Sequence, residues 1–320
     1  MKRHLNIIAR TNGVGLDRDV SLIREIAETA GYEVTVSHSR GISALARWLP
    51  QRKRFSANIF LERIFPRWLG AAGVNILIPN QERFPQRHVK HLSSLDAIFC
   101  KSRHALEIFS EVHPTCHFTG FTSENLYDGK VPRKEKTFLH LAGKSTLKGT
   151  EVILDLWKRH PEWPLLTLVQ TAANAPDAVP ENVTLLSEYL SNEEIALLYN
   201  SHPFHLCPSR SEGWGHYLVE AMHCGALVIT TNGPPMNEII TPERGLLISA
   251  ARSEPRHLGT NFYIDRQALE AAIEAILATD PTKLQPQREA AKAWAAQNEI
   301  DFRRRLTTAL KETLSDQSTK

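Results

Sequence analysis

The sequence predicts an α/β protein built from two doubly wound parallel-sheet domains, and three observations predict it. Short apolar runs alternate with helical patterns, the rhythm of βαβ units. A polar stretch over residues 122–136 divides those runs into two series. At 320 residues the chain exceeds one ordinary core and suits two domains of roughly 100–200 residues each.

In the first series, strands are expected at Leu5–Ala9, Glu33–Ser37, Asn58–Leu61, Val74–Ile78, Ala97–Cys100 and His117–Gly120. Helical patterns fall at Val20–Ala30 and Arg103–Phe109. These make an N-terminal domain over residues 1–121. Residues 122–136, with Asp128-Gly129-Lys130-Val131-Pro132-Arg133-Lys134, read as a linker. The second series places strands at Phe138–Ala142, Leu165–Gln170, Val183–Leu186, Phe204–Pro208, Leu227–Thr230 and Leu246–Ile248. Ser191 and Glu194 form a capping-box pattern that opens the helix Ile195–Tyr199. The C-terminal domain spans 137–300, and 301–320 reads as a helix and tail with the option of packing back on the N-terminal domain.

Composition narrows the class. The chain is 42% apolar, enough for two α/β cores, and 23% charged. No secretory apolar core follows Met1-Lys2-Arg3-His4, and the longest largely apolar run, Trp68 to Pro79, is well below a membrane span. Cys100, Cys116, Cys207 and Cys224 show no CxxC pairing and read as reduced core thiols, which suits the cytoplasm. Residues 1–130 carry 18 Lys+Arg against 12 Asp+Glu, in a chain of net +3. Within them, residues 47–55 (RWLPQRKRF) form a basic, aromatic-containing cluster. It reads either as a solvated loop or as a contact for anionic lipid or another polyanion at the inner membrane face. No nucleic-acid motif is present.

The chemistry concentrates in Pro208–Met222. An apolar run, Phe204-His205-Leu206-Cys207, leads into a glycine-bearing turn, a helix and the next strand, the unit in which open α/β folds place ligands. Glu212 stands where strand gives way to helix, so its carboxylate faces the region beyond the strand ends. Gly213 and Gly215 let a ligand approach the backbone, and the first helical N–H groups favour an anion such as phosphate. Glu220 is expected two turns into the helix, roughly 12 Å along its axis from Glu212 at ~1.5 Å per residue. One carboxylate could hold a sugar hydroxyl and the other a diol about a pyrophosphate length away, the layout of a nucleoside diphosphate sugar.

With Glu212 and Glu220 flanked by EGWG and EAMHCGALVIT, the segment resembles the E-x7-E signature of retaining type-B (GT-B) glycosyltransferases, the family 4 or group 1 type. The resemblance implies two Rossmann-like domains facing a cleft. It implies that Glu212 meets the transferred sugar and that Glu220 holds the ribose. It implies catalysis without a bound metal or cofactor, with a UDP- or GDP-linked sugar as donor. The apolar run from Thr137 to Ala142, followed by Gly143-Lys144-Ser145-Thr146-Leu147-Lys148-Gly149, resembles the family's diphosphate-clasping loop. Lys148 matches the family lysine, and Lys144 stands where arginine is usual, without arginine's bidentate fork. Cations are disfavoured at a helix start, so an anionic ligand accounts for them. Thr231 to Glu238 resembles the family's G-G-x-x-E turn with one extra residue. Pro234 and Pro235 have no N–H, so Met236 and Asn237 are the expected donors there.

Other candidates are weaker in chemistry. Gly143-Lys144-Ser145-Thr146 imitates the end of a Walker A loop, but Phe138 stands where its first glycine belongs, so ATP hydrolysis is not supported. Gly13 and Gly15 follow the first strand and read as either a cleft loop or a tight turn. Asp17 and Asp19 read as helix-start residues. Asn80 and Glu82, in Pro79-Asn80-Gln81-Glu82-Arg83-Phe84, read as acceptor-side groups, with a solvated Glu82–Arg83 pair as the alternative. His216 either contacts the donor phosphate or packs. His88, His91, His104 and His140 show no metal-ligand spacing. The expected function is transfer of a sugar from a nucleotide sugar to a glycan, a lipid-linked molecule or another acceptor, with retention. A non-catalytic sugar-nucleotide sensor and a GT-B epimerase or phosphorylase are the alternatives. The nucleotide base, the acceptor and the oligomeric state are not legible.

Overall fold

The structure, a computed structural model, describes residues 3–10, 15–39 and 54–315. The chain divides into two compact units. Unit 1 comprises Met1–Phe121, Arg256–Gly259 and Ile300–Lys320, and unit 2 comprises Thr122–Pro255 and Thr260–Glu299.

Unit 1 is a six-stranded sheet ordered β2-β1-β3-β4-β5-β6. Its strands are β1 (His4–Ala9), β2 (Glu33–His38), β3 (Phe55–Glu62), β4 (Ala72–Pro79), β5 (Ala97–Cys100) and β6 (Cys116–Phe118). Every pairing is parallel. The inner strands are covered on both faces, which is why they read as continuous apolar runs, whereas edge strands β2 and β6 are only partly buried. Register is marked by a buried amide ladder. Asn6 Nδ2 donates to Asn58 Oδ1 at 3.1 Å, and Asn58 Nδ2 donates to Asn75 Oδ1 at 3.0 Å. A register slip would leave these amides unpaired in the core.

Helix α1 (Gly15–Thr29) follows β1, and α2 (Arg103–Ser110) is capped by Ser102, which accepts from Ala105 N–H. Asp19 departs from its expected role. It is 3% exposed and accepts from Lys101 Nζ at 2.7 Å, a buried ion pair rather than a helix-start charge. From Ile300 onward the chain also belongs to unit 1, where the Phe302 ring lies 4.9 Å from that of Phe121.

Unit 2 repeats the architecture in the order β12-β11-β10-β7-β8-β9. The strands are β7 (Phe138–Gly143), β8 (Leu166–Gln170), β9 (Val183–Leu186), β10 (Phe204–Cys207), β11 (Leu227–Thr231) and β12 (Leu246–Ile248). The core gathers Phe138, Trp157, Phe204 and Leu227, with the Phe138 and Phe204 rings stacked at 5.1 Å. Helices α3 (Thr150–Arg159), α4 (Asn192–Ser201), α5 (His216–His223), α6 (Met236–Ile239) and α7 (Arg266–Ala278) connect and cover the strands. The Ser191–Glu194 capping box forms at α4.

Two features differ from the sequence reading. A hairpin, β13 (Ala250–Arg256) with β14 (Gly259–Ile264), was not anticipated because its first strand is polar and contains Pro255. Residues 122–136, expected to be a linker, are fastened to unit 2. Arg133 donates to Gly225 O at 2.7 Å, Lys134 N–H donates to Ser201 O, and Asn200 Nδ2 donates to Leu126 O. Helix α8 (Gln285–Ser315) contributes residues to both units. No described helix is long and apolar enough to cross a membrane.

Candidate active site

Unit 2 winds outward in both directions from β7, which lies between β8 and β10. The winding direction therefore switches between β7 and β10, and the loops leaving their carboxyl ends open a crevice there, the usual ligand position in such sheets. The loop after β7 carries Lys148, and the loop after β10 carries Glu212.

These two side chains meet. Lys148 Nζ donates to Glu212 Oε1 at 2.6 Å, and each side chain is 16% exposed. Ser209 Oγ donates to the same oxygen at 2.5 Å. Because Ser209 spends its proton on Glu212, the Tyr217 hydroxyl is the donor in the 2.5 Å contact between Tyr217 and Ser209. Burial holds that phenol well above its ordinary range, so it remains a donor. The Tyr217 ring also lies 3.3 Å beneath Lys148 Nζ. One carboxylate oxygen is thus fixed by a cation and a hydroxyl, and the cation is seated on an aromatic face.

The backbone explains the placement. Gly149 caps α3 at φ +69, and a Cβ there would lie 2.6 Å from Pro208 O. This close approach ties the β7 loop to the β10 loop, reinforced by Arg210 N–H donating to Leu147 O at 2.8 Å. Gly149→Ala should therefore cost ~1–3 kcal/mol from the left-handed backbone alone, with the clash added. Urea unfolding would read this as a fall in midpoint; an unchanged midpoint would show that the loops separate without cost. Gly215, at φ +100, caps α5, where a Cβ would meet Leu218 at 2.8 Å. Gly213 is buried beside it.

The other expected residues are placed as follows. Lys144 is exposed, and its carbonyl accepts from Asn174 Nδ2. His216 Nδ1 is 2.9 Å from Ser123 Oγ. Helix α5 begins at His216 rather than at Glu212, so Glu220 lies only about one turn into it. Glu220 is 2% exposed, with Oε2 accepting from Tyr199 OH at 2.6 Å. Met236 is fully buried at the start of α6. Asn237 is corrected as a backbone donor, because its N–H closes the turn onto Gly233 O at 3.2 Å.

In unit 1, Gly13 lies outside the described residues and Gly15 opens α1. Asn80 precedes a 3-10 turn, Gln81–Arg83, directly after β4. Glu82 is 5% exposed, so it is not half of a solvated pair, although Arg83 Nε lies 3.7 Å from its Oε1. Of the 47–55 cluster, only Arg54 and Phe55 are described. Among the described residues no group of three or more His, Cys, Asp or Glu is placed to hold a metal ion.

Sequence reasoning missed Ser209, Arg210, Tyr217 and His140. Arg210 pairs with Glu151 and lies 4.7 Å over the Tyr263 ring. His140 is fully buried. Its Nδ1 donates to Leu206 O at 2.7 Å, which leaves Nε2 to accept from Thr150 Oγ1 at 3.0 Å. Burial pushes this imidazole down to about 4, so it bridges β7, β10 and α3 as a neutral ring. Tyr217 carried a usable signal, its position inside the motif; the others depend on neighbours distant in sequence.

Residues 177–293 match the family model described as glycosyl transferases group 1. The matched segment lies almost wholly within unit 2 and covers less than half of the chain. The match includes Glu212 and Glu220 and begins after Lys148. Similar solved structures share the fold at low identity. One is Anabaena Alr3699/HepE in complex with UDP and glucose (TM-score 0.73, 14% identity, covering 97% of this chain and 100% of that one). Another is the pneumococcal O-GlcNAc transferase GtfA in complex with UDP and GlcNAc (TM-score 0.62, 15% identity, 85% of this chain). The chain spans 59% of the GtfA chain's length. A third is sucrose-phosphate synthase from Thermosynechococcus elongatus (TM-score 0.62, 15% identity, 99% and 98% coverage). These neighbours identify the two-sheet architecture as GT-B. No curated protein matches the sequence.

Proposed function

We propose that the chain transfers a sugar from a nucleotide diphosphate sugar, UDP- or GDP-linked, to a glycan or lipid-linked acceptor with retention, in the cytoplasm. The observation that carries this reading is the Lys148–Glu212 pair, assembled from two loops at the switch point of unit 2. Structures of HepE and GtfA hold UDP with glucose and with GlcNAc, which favours a UDP-linked donor.

In this reading the bond between the anomeric carbon and the phosphate oxygen breaks, and its electron pair leaves with the diphosphate. The acceptor hydroxyl forms the new bond and its proton passes to the departing phosphate. Lys148, with Lys144 at the loop mouth and the α5 N-terminus at Gly213–Gly215, neutralises the charge developing on the leaving group. Glu212 orients the sugar and supports its positive character. Glu220 takes the ribose diol, with Tyr199 fixing the carboxylate's orientation. His216 and the Met236 turn border the donor, and Asn80 and Glu82 are acceptor-side groups. The residues use no metal.

Incubation with radiolabelled UDP- and GDP-sugars and an acceptor fraction tests this. Labelled product that disappears in Glu212→Gln and Lys148→Ala, with the donor's anomeric configuration retained, is the expected result. Donor binding without turnover would replace it with a sensor, and product formed without acceptor with an epimerase or phosphorylase.

A further inference from the structure

The carboxyl ends of β7 and β10 form the candidate active site; the amino ends of β10 and β11 border a separate cavity of about 470 Å³, within the range of small-molecule sites. Three cations line it: Arg133, Arg288 and Lys292. Arg288, on α8, is only 8% exposed, and its Nη2 donates to Pro203 O at 2.9 Å. Its Nε is buried with no hydrogen-bond partner. Arg133 is solvent-accessible and donates to Gly225 O and Cys224 O at the C-terminal end of α5. Lys292 Nζ sits 3.2 Å over the Tyr127 ring.

Asp128 and Glu289 also line the cavity, yet among the described residues no carboxylate lies within 4 Å of any of the three cations. A guanidinium buried without a counter-ion is costly, and burial with Arg133 nearby lowers Arg288 to about 10. Carbonyl oxygens supply only partial charge. The missing element is an anion.

We propose that this cavity is a second binding site of unit 2, for a small phosphate-bearing molecule held by Arg288, Arg133 and Lys292. Arg288 supplies the buried donor, Arg133 the planar fork suited to phosphate, and Lys292 a point charge at the wall. The cavity adjoins the C-terminal end of α5, whose other end carries the Gly215 cap. The bound molecule therefore takes donors from a group that now holds α5 carbonyls.

Inorganic pyrophosphate and inorganic phosphate are the probes, titrated calorimetrically at fixed ionic strength. The titration is run in a Lys148→Ala background, which silences the candidate donor site. Binding of at least one probe should persist there and weaken about tenfold or more on adding either Arg288→Gln or Lys292→Gln. Phosphate binding alone would mark a free-anion site, whereas a preference for pyrophosphate would mark a phosphate ester or anhydride. Circular dichroism melts without ligand establish that each variant is folded; Lys292, only partly buried, keeps the test standing if Arg288→Gln unfolds. Loss of all binding in Lys148→Ala alone, or binding indifferent to both cavity variants, would overturn the proposal.

Discussion

Lys148→Ala should lower kcat/KM for sugar transfer by about 10²–10³-fold while leaving the protein folded, the scale seen when one preorganised charge-stabilising group is removed. The fall should appear in kcat as well as KM, because the cation acts most strongly as negative charge grows on the departing diphosphate. Stability should change by only about 1 kcal/mol, since Glu212 keeps its Ser209 donor and the pair is partly solvated. Lys148→Arg retains charge but not shape, and should recover part of the loss. The same substitution separates the proposal from its rival. In a sensor it would weaken donor binding with no turnover to lose, and unchanged transfer kinetics would remove Lys148 from the mechanism.

Unit 2 should lose stability steeply as pH falls below about 6.5. His140 and His205 are 0% and 2% exposed, and burial pushes them down to about 4 and about 3. Their folded values lie below the unfolded value, so between those limits the unfolded chain binds protons that the folded chain refuses. Stability is therefore greatest above 6.5 and falls through the window to about pH 4 for His140 and pH 3 for His205. Each residue contributes ~1.4 kcal/mol per pH unit within its window, several kcal/mol in all. That is comparable with the ~5–15 kcal/mol of a typical domain. His202 and His223 are shifted in the same direction by burial, whereas the more exposed His160, raised by Glu270 and Glu162, opposes them weakly.

Urea midpoints measured from pH 7.5 to 4.5 should show this slope, and His205→Phe should flatten it. His205 stacks on Tyr199 at 5.3 Å and has a buried Nε2 without a partner, so a phenyl ring keeps the stack and removes the titration. An identical slope in the variant would assign the acid sensitivity elsewhere.

Much of this protein was legible in its sequence. All twelve strands of the two parallel sheets were expected within a few residues; for the inner strands the reason is that a strand covered on both faces must be apolar along its length, a local property. The α4 cap and the turn before α5 were readable for the same reason: capping and glycine chemistry act within a few residues. What the tertiary structure alone decided lies at longer range. Lys148 and Glu212 are 64 residues apart, and only the order in which strands wind around β7 brings them to 2.6 Å. Asp19 and Lys101, 82 residues apart, form a buried pair that leaves no local pattern. The polar segment 122–136 looked like a linker because its composition is solvated, yet Arg133 reaches 92 residues along the chain to the end of α5. Glu220 is 2% exposed and takes a hydrogen bond from Tyr199, 21 residues earlier, a partner that no local pattern announces. Periodicity records which face of an element is buried, but the partner on that face is set by sheet order and packing, which no short window contains.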